Sequence, residues 1–486
     1  MKTNLPPMVQ DRKRAFVSAL RRFLCGSVCV LAMPALAQSV AIRSQPLRVT
    51  VPDADVVNQF VLTNFVDLGE DTDPVELSIS GLPAGAGASF SVTSFEGDGG
   101  TELTLNTTNI AQGEHVISLN ASGGATGTFP LVLQSGRVWD GTGSWSSGAN
   151  WVGGVVPGPT DDVIFTDLGG QADATVTNSV VDADIEIASL RFSQTNNATR
   201  FHTVEINPGV TLSVTGEKGF RLLRDYSNIG AQMDVNFVGG GTLLVSNENA
   251  NVSVVIPNQQ AHRLNLSGLA NFVVDAKRMA LGDYRAYPNY DDFVANGYGG
   301  NATFLIPRRF IPTVSLARTN IIRLSHVDPN DYNDPAIRDY ALTLGNNDVG
   351  TTADSMLLLG ISNVFFLDSV CFVQSSAQSD PNADGGIRFN QAFSGDNPVA
   401  IFRGTNGGRV SLFVLGDAAG PGASGTGTKS IVNFSLGRVD ALIDRLYLAR
   451  DRTNSSDNAS AEATLTYDEG VIDANIAILG YQDNGN

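Results

Sequence analysis

The chain has 486 residues, and its 49 Asp and Glu residues outnumber its 31 Lys and Arg residues to give a formal charge of −18. Six basic residues and one acidic residue lie in residues 1–37, so the rest of the chain carries −23. This balance excludes nucleic acid as an expected partner, because binding to phosphates requires a basic surface.

Residues 1–37 have the pattern of a secretory signal peptide. A basic leader is followed by an apolar run from Phe23 to Leu36 and by the small residues of Ala35-Leu-Ala37. The apolar run has about fourteen residues and contains Pro34, whereas a membrane-spanning helix needs about 20. We therefore expect export with cleavage after Ala37 and no transmembrane anchor in this chain.

Residues 38–135 alternate short apolar and polar positions between Gly, Pro and Asp turns, which is typical of a β-sandwich. The stretches Gly81–Pro83, Phe90–Val92 and Asn109–Leu119 resemble the bacterial immunoglobulin-like modules found beside surface proteins. We expect an N-terminal, immunoglobulin-like β-sandwich over 38–135.

All three tryptophans lie within the following segment, 136–165. Its motif residues are Trp139, Asp140, Gly141, Trp145, Asn150, Trp151, Pro157, Gly158, Asp162 and Phe165. This order resembles the segment that opens the passenger region of autotransporter-associated β-strand-repeat proteins and related bacterial exported β-solenoids. The resemblance implies a Trp-rich linker or cap that begins a solenoid and performs no chemistry. It also implies a protein outside the cell or in the outer envelope of a bacterium.

The tryptophan residues themselves allow two interpretations. Spaced six residues apart, Trp139, Trp145 and Trp151 would share one face and cover the unpaired end of a sheet. Each indole N–H would then find a hydrogen-bond partner. Alternatively, exposed rings would form a platform on which sugars stack. The Gly, Ser and Asn spacers favour tight turns and therefore the buried cap.

Residues 166–486 continue the alternation and predict an all-β chain that coils into a right-handed parallel β-helix, incomplete at its C-terminus. An aliphatic-Asp-Ala pattern recurs near Val181, Val274, Val439 and Ile472 and predicts a reused corner. At about 25 residues per turn the region would make roughly 13 turns in a rod of about 60 Å. The Tyr-rich stretch from Tyr284 to Pro335 predicts a long excursion that carries a recognition surface. An open last turn would favour end-to-end self-association.

Candidate chemical groups are sparse. The residues His115, His202, His262 and His326 show no triad or zinc spacing, and each is interpreted as a surface or satisfied strand histidine. Cys371, in an apolar run and alone beyond residue 37, is interpreted as a buried core residue and excludes an intrachain disulfide there.

Two loops imitate ligand-binding motifs. Gly420–Ser430 resembles a phosphate loop but has Thr428 where glycine must precede the lysine. Asp380, Asn382 and Asp384 could begin a calcium loop, yet Gln391 at the twelfth position cannot supply a bidentate carboxylate. A polar turn is favoured, with calcium as the alternative.

These observations predict an exported, non-enzymatic structural or adhesion protein of the cell surface or extracellular matrix, with a polysaccharide or protein partner, no catalytic residues and no cofactor other than possible calcium. The alternative is a β-helix protein that binds or degrades polysaccharide, as a lyase or glycosidase. Such an enzyme would need two carboxylates about 5 to 10 Å apart in a groove.

Overall fold

The structure, a computed structural model, describes residues 48–52, 57–66, 74–97, 99–107, 110–123, 127–194, 200–224, 233–255, 262–283, 312–327, 340–347, 355–375, 386–418, 428–451 and 461–482. Within these ranges the chain is all-β, as predicted, with short 3₁₀ turns at Gly148–Asn150 and Gln391–Phe393.

The N-terminal region consists of two sheets that share one apolar core. Its strands are β1 (Arg48–Pro52), β2 (Val57–Val66), β3 (Val75–Ser80), β4 (Gly87–Phe90), β5 (Ser94–Phe95), β6 (Gly99–Asn106), β7 (Gly113–Gly123) and β8 (Gly127–Trp139). Strands β1, β8, β7, β3 and β5 form one sheet, and β2, β6 and β4 form the other. Leu103 and Leu105 of the second sheet pack with Leu77, Ile117 and Leu133 of the first, so the two sheets face each other.

The rest of the chain is a stack of parallel strands, consistent with a β-solenoid. The strands are β9 (Gly143–Ser144), β10 (Asp162–Phe165), β11 (Ser179–Val181), β12 (Ile185–Gln194), β13 (Arg200–Ile206), β14 (Thr211–Arg224), β15 (Met233–Val238), β16 (Thr242–Val255), β17 (His262–Asn265), β18 (Asn271–Asp283), β19 (Pro312–Ser315), β20 (Thr319–Leu324), β21 (Leu342–Asn347), β22 (Met356–Leu359), β23 (Ser362–Phe366), β24 (Ser369–Ser375), β25 (Gly386–Phe389), β26 (Val399–Arg403), β27 (Val410–Ala418), β28 (Thr428–Asn433), β29 (Arg438–Asp451), β30 (Ala461–Thr466) and β31 (Glu469–Gln482).

Each turn of the stack contributes to three faces. The first face is the ten-stranded sheet β9, β11, β13, β15, β17, β19, β22, β25, β28 and β30. The second face contains the first parts of β12, β14, β16, β18, β29 and β31, together with β20, β23 and β26. The third face contains the end of β8, then β10, the later parts of the long strands, and β21, β24 and β27.

Alternation places one side of every strand inside this stack. On the third face the inward row, one residue per strand and in register, is Trp139, Phe165, Phe192, Leu222, Val254, Leu281, Leu344, Phe372, Leu415, Leu448 and Leu479. Two buried asparagines form hydrogen bonds between adjacent layers at a corner of the stack. Asn320 Nδ2 donates to Asn363 Oδ1 at 2.8 Å, and Asn363 Nδ2 donates to the Val399 carbonyl at 2.9 Å. A continuous apolar core therefore runs through all layers.

The tryptophan segment is the first layer of the stack and not a separate linker. Trp139 ends β8 and pairs in register with Phe165, while β9 pairs with β11 of the first face. The stack therefore begins before residue 166, earlier than predicted. Strand β8 belongs to both regions, because its earlier residues pair with β1 and β7 of the N-terminal sheet.

Three further expectations need correction. The first face has ten strands, so the described residues give ten layers and not roughly 13. Part of the predicted Tyr284–Pro335 excursion is β19 and β20 of the stack. The aliphatic-Asp-Ala pattern marks no single corner, because Val274 and Ile472 share one row whereas Val181 lies on the first face.

Candidate functional site: the connection corner and the buried clusters

One corner of the stack repeats the same backbone conformation in six successive layers. Near the end of each third-face strand a residue adopts a positive φ of 62 to 71°: Gly282, Gly345, Val373, Gly416, Ala449 and Gly480. The strand pairings place these residues in one register row. At Gly416 a Cβ would lie 2.8 Å from the Glu462 carbonyl oxygen, so a side chain there would be crowded as well as strained by φ.

Beyond this row the chain leaves the third face and returns on the first face of the next layer. Eight connecting segments begin and end at this place, which we call the connection corner: 195–199, 225–232, 256–261, 284–311, 348–354, 376–385, 419–427 and 452–460. Their lengths vary from 5 to 28 residues, while the strands on both sides keep their register. The stack thus tolerates very different sequences at one corner without a change in its core.

Several predicted site residues belong to these segments. The calcium candidates Asp380, Asn382 and Asp384 lie outside the described residues, as do the five tyrosines of the predicted excursion. Most of the phosphate-loop imitation also lies outside them, and its last residues, Thr428 to Ser430, begin β28. The sequence associates only the Tyr-rich segment with recognition, whereas the described strand ends that flank all eight segments lie along one edge.

The three tryptophans form a dry aromatic layer. Trp139, Trp145 and Trp151 are 0, 1 and 3% exposed, and Trp151 packs edge-on against the other two at 4.9 and 5.2 Å between ring centroids. Phe165 of the next layer stacks on Trp139 at 5.7 Å. The predicted burial is therefore confirmed, and rings so little exposed provide no face for the alternative, a sugar platform.

The indole N–H groups are satisfied at two of the three positions. Trp145 Nε1 donates to Ser179 Oγ at 2.6 Å, and Trp151 Nε1 donates to the Trp145 carbonyl at 3.0 Å. Trp139 Nε1 has no hydrogen-bond partner among the described residues, and that edge of the ring lies close to Gly169. The expectation that every indole N–H finds a partner is wrong for Trp139.

A polar cluster, which we call the junction cluster, fastens the N-terminal sheets to the first layers of the stack. Asp162 accepts hydrogen bonds from Lys218 Nζ and Ser189 Oγ, each at 2.5 Å, and its backbone N–H donates to Gln112 Oε1 at 2.7 Å. Gln112 Nε2 also donates to Asp161 Oδ1 at 2.6 Å. Both Asp162 oxygens are thereby occupied by structural partners.

The cluster continues across the outer side of the third face. Glu114 lies 3.7 Å from both Arg191 and Arg221, and Arg191 donates to Gln134. Arg191 is 3% exposed, so its charge is compensated inside the protein, as a buried ion requires. The mutual pairing of these charges supports an interdomain contact rather than a reaction centre.

His202 lies inside the core beside the aromatic layer. It is 2% exposed, with its ring 5.2 Å from that of Phe165. Nε2 lies 2.7 Å from the Thr166 carbonyl and Nδ1 lies 3.1 Å from Asn178 Nδ2, which assigns the proton to Nε2 and the acceptor role to Nδ1. Burial lowers the pKa of His202 to about 4, so the ring is neutral.

The other single residues have structural surroundings as well. His115 Nε2 lies 2.7 Å from the Ala111 carbonyl, and His326 lies 3.0 Å from an Arg278 nitrogen. The side chain of His262 lies outside the described residues. Cys371 is in no disulfide and has 0% exposure, and it packs with Tyr340, Val414 and Tyr447 on the outer side of the third face, so its predicted burial is confirmed.

Among the described residues no group of three or more His, Cys, Asp or Glu side chains could hold a metal ion. A search of the same residues for a long, apolar, membrane-crossing helix found none. No known protein family, curated protein or solved structure matches the chain.

Proposed function

We propose that the protein is an exported, non-enzymatic structural or adhesion protein of a bacterial cell surface or extracellular matrix. In this proposal the parallel stack is a scaffold, and the connecting segments at the connection corner recognise a polysaccharide or protein. Calcium at Asp380, Asn382 and Asp384 would be an accessory ligand of one such segment.

The observation that carries the proposal is that the described strand ends on both sides of eight connecting segments lie along one corner of the stack. Adjacent layers are about 4.8 Å apart, so the strand ends that flank the eight segments lie along an edge of about 34 Å, which is seven spacings. Functional residues concentrate on variable segments that a rigid scaffold positions. A row of such segments suits an extended partner better than a single small molecule.

The groups that could have supported chemistry are in structural roles. The tryptophan rings are buried, His202 is neutral and hydrogen-bonded on both nitrogens, and Asp162 is bonded to Lys218 and Ser189. These contacts support the scaffold over the lyase or glycosidase alternative.

The finer fold assignments are part of the same proposal. We assign the stack to the right-handed class, because parallel strands joined by crossovers are right-handed in nearly all proteins. The paired N-terminal sheets are assigned to an immunoglobulin-like module beside it, and residues 1–37 to a cleaved signal peptide.

The test is binding of the secreted chain to bacterial surface polysaccharides and to extracellular matrix proteins immobilised on a sensor. Replacing residues 284–311 by a Gly-Ser linker should lower binding at least tenfold, whereas Glu248→Ala with Asn249→Ala, exposed at a different corner, should leave it unchanged. Unchanged tryptophan emission would show that the first layer of the stack remains folded.

Two results would contradict the proposal. Equal binding by the linker variant and by linker variants of the other seven segments would remove recognition from the connection corner. Sustained turnover of an acidic or neutral polysaccharide, abolished by one Asp substitution, would establish the enzyme alternative.

A further inference from the structure

The outer side of the second face carries an apolar stripe. In register, one residue per layer, its central row is Glu186, Ser213, Leu244, Val273, Ile321, Val364, Ile401, Asp440 and Val471. Five consecutive members, from Leu244 to Ile401, are aliphatic and only half-buried. A continuous row of half-buried aliphatic side chains on the outer side of a sheet leaves apolar surface that another molecule could cover.

The charges beside the stripe are divided along the stack. The layers from β12 to β18 carry the exposed acids Asp184, Glu186, Glu217, Glu248 and Asp275 and one exposed base, Lys277. The layers from β20 to β29 carry Arg318, Arg323, Arg403 and Arg438 and the acids Asp396 and Asp440, of which Asp440 is paired with Arg403 at 2.8 Å. One half of the same surface therefore has a net negative charge, and the other half has a net positive charge.

Asp275 and Arg323 lie where the two halves meet. They are register neighbours on β18 and β20, and both are exposed, yet neither side chain has an ion-pair partner among the described residues. The Arg323 guanidinium lies 4.9 Å from the centroid of the Phe366 ring in the next layer. This cation–π contact orients Arg323 and leaves its N–H groups free for a carboxylate.

We propose that the second face is the interface of a two-fold symmetric dimer in which two copies of this chain pack face to face with their stacks antiparallel. A two-fold axis along the strand direction reverses the order of layers, so β18 of one copy faces β20 of the other. Asp275 of each copy then meets Arg323 of its partner, and the contact occurs twice, as in any isologous interface. The two aliphatic stripes cover each other between these pairs.

The size of the surface fits a specific dimer. About the axis between β18 and β20, the eight layers from β12 to β29 overlap. At about 4.8 Å per layer they give a length of about 38 Å, and strands of about five residues give a width of about 17 Å. The buried area is then about 650 Å² per copy, or about 1,300 Å² in total, within the range of specific interfaces. A sugar ligand fits less well, because the stripe is aliphatic and the ring of Phe366 is already covered by Arg323.

The experiment measures the mass of the secreted chain by sedimentation equilibrium from about 1 to 100 µM, at low and high salt. A dimer is expected, with a dissociation constant that rises with salt because charge pairs are screened. Val273→Lys should raise the dissociation constant at least a hundredfold, since it places a charge in the centre of the stripe. Leu479→Lys is the matched control, as Leu479 is 74% exposed on the last third-face strand and outside this surface.

Charge reversal identifies the pairing. Asp275→Arg alone and Arg323→Asp alone should each weaken the dimer at least tenfold, because like charges then meet across the interface. An equimolar mixture of the two variants should regain dimers, since every Arg then faces an Asp of the other copy.

Three results would overturn the inference. The first is a monomer at 100 µM. The second is a dimer that survives Val273→Lys but is lost in Leu479→Lys, which would indicate end-to-end contact. The third is a mixture of the two charge variants that stays monomeric. Far-UV circular dichroism and the urea midpoint of every variant check that the whole stack is folded, because tryptophan emission reports only the first layer.

Discussion

Lowering the pH from 7.5 to 5 should destabilise the first layers of the stack through His202. The folded-state pKa of His202 is about 4, below the ordinary value of 6.5. Between pH 6.5 and 4, His202 therefore binds a proton in the unfolded chain but stays neutral in the folded core. Stability is fully present above pH 6.5 and is lost as the pH falls toward 4.

The size of the effect follows from the shift. Each unit of pKa difference corresponds to about 1.4 kcal/mol, so the loss is about 2 kcal/mol at pH 5 and about 3 kcal/mol once the folded pKa is reached. Most carboxylates titrate below pH 5, so the interval from 7.5 to 5 mainly titrates imidazoles, and the contribution of His202 is isolated by a variant without it.

The assay is urea unfolding followed by tryptophan emission. All three tryptophans lie in one layer, and Phe165 contacts both Trp139 and His202, so the emission reports the region that the histidine destabilises. His202→Gln, which keeps polar atoms but has no charge to gain, is the control. A parent protein that loses no more stability between pH 7.5 and 5 than His202→Gln would refute the reasoning.

The remaining predictions concern the aromatic layer, the connection corner and export. Trp151→Ala should cost about 3 to 5 kcal/mol in urea unfolding, because the ring is 3% exposed and leaves a cavity; a variant as stable as the parent would contradict the packing. Gly416→Ala should destabilise by at least about 1 kcal/mol, since φ is 71° and the carbonyl of Glu462 is close, whereas Ala449→Gly at φ 62° should leave stability equal or slightly raised; equal melting curves for parent and Gly416→Ala would refute this. N-terminal sequencing of secreted material should begin at Gln38, and a sequence beginning at Met1 would exclude the signal peptide.

Sequence patterns predict features that depend on residues close together along the chain, such as strands and the burial of the tryptophans. Alternation located strands such as β13 and β22, and the spacing of the tryptophans predicted their burial. The number of layers was overestimated because the connecting segments differ in length from 5 to 28 residues, which no average period can represent.

Features that depend on the register between strands could not be predicted from the sequence. The positive-φ row includes Val373 and Ala449, residues that rarely adopt this conformation, so no glycine pattern marks it. The stripe from Leu244 to Ile401 comes from residues on five strands that only strand pairing brings together. The same holds for the junction cluster, in which Gln112 meets Asp162 across 50 positions.

Strand β8 also determines how the protein would respond to a mechanical load. Its earlier part lies between β1 and β7, and its end lies beside β10, so one uninterrupted strand crosses from one region to the other. A pull along β8 loads many of its hydrogen bonds together in shear, and the side chains of the junction cluster share that load. The N-terminal sheets and the first layer of the stack should therefore transmit tension as one stiff element, without a hinge at which the force could be dissipated.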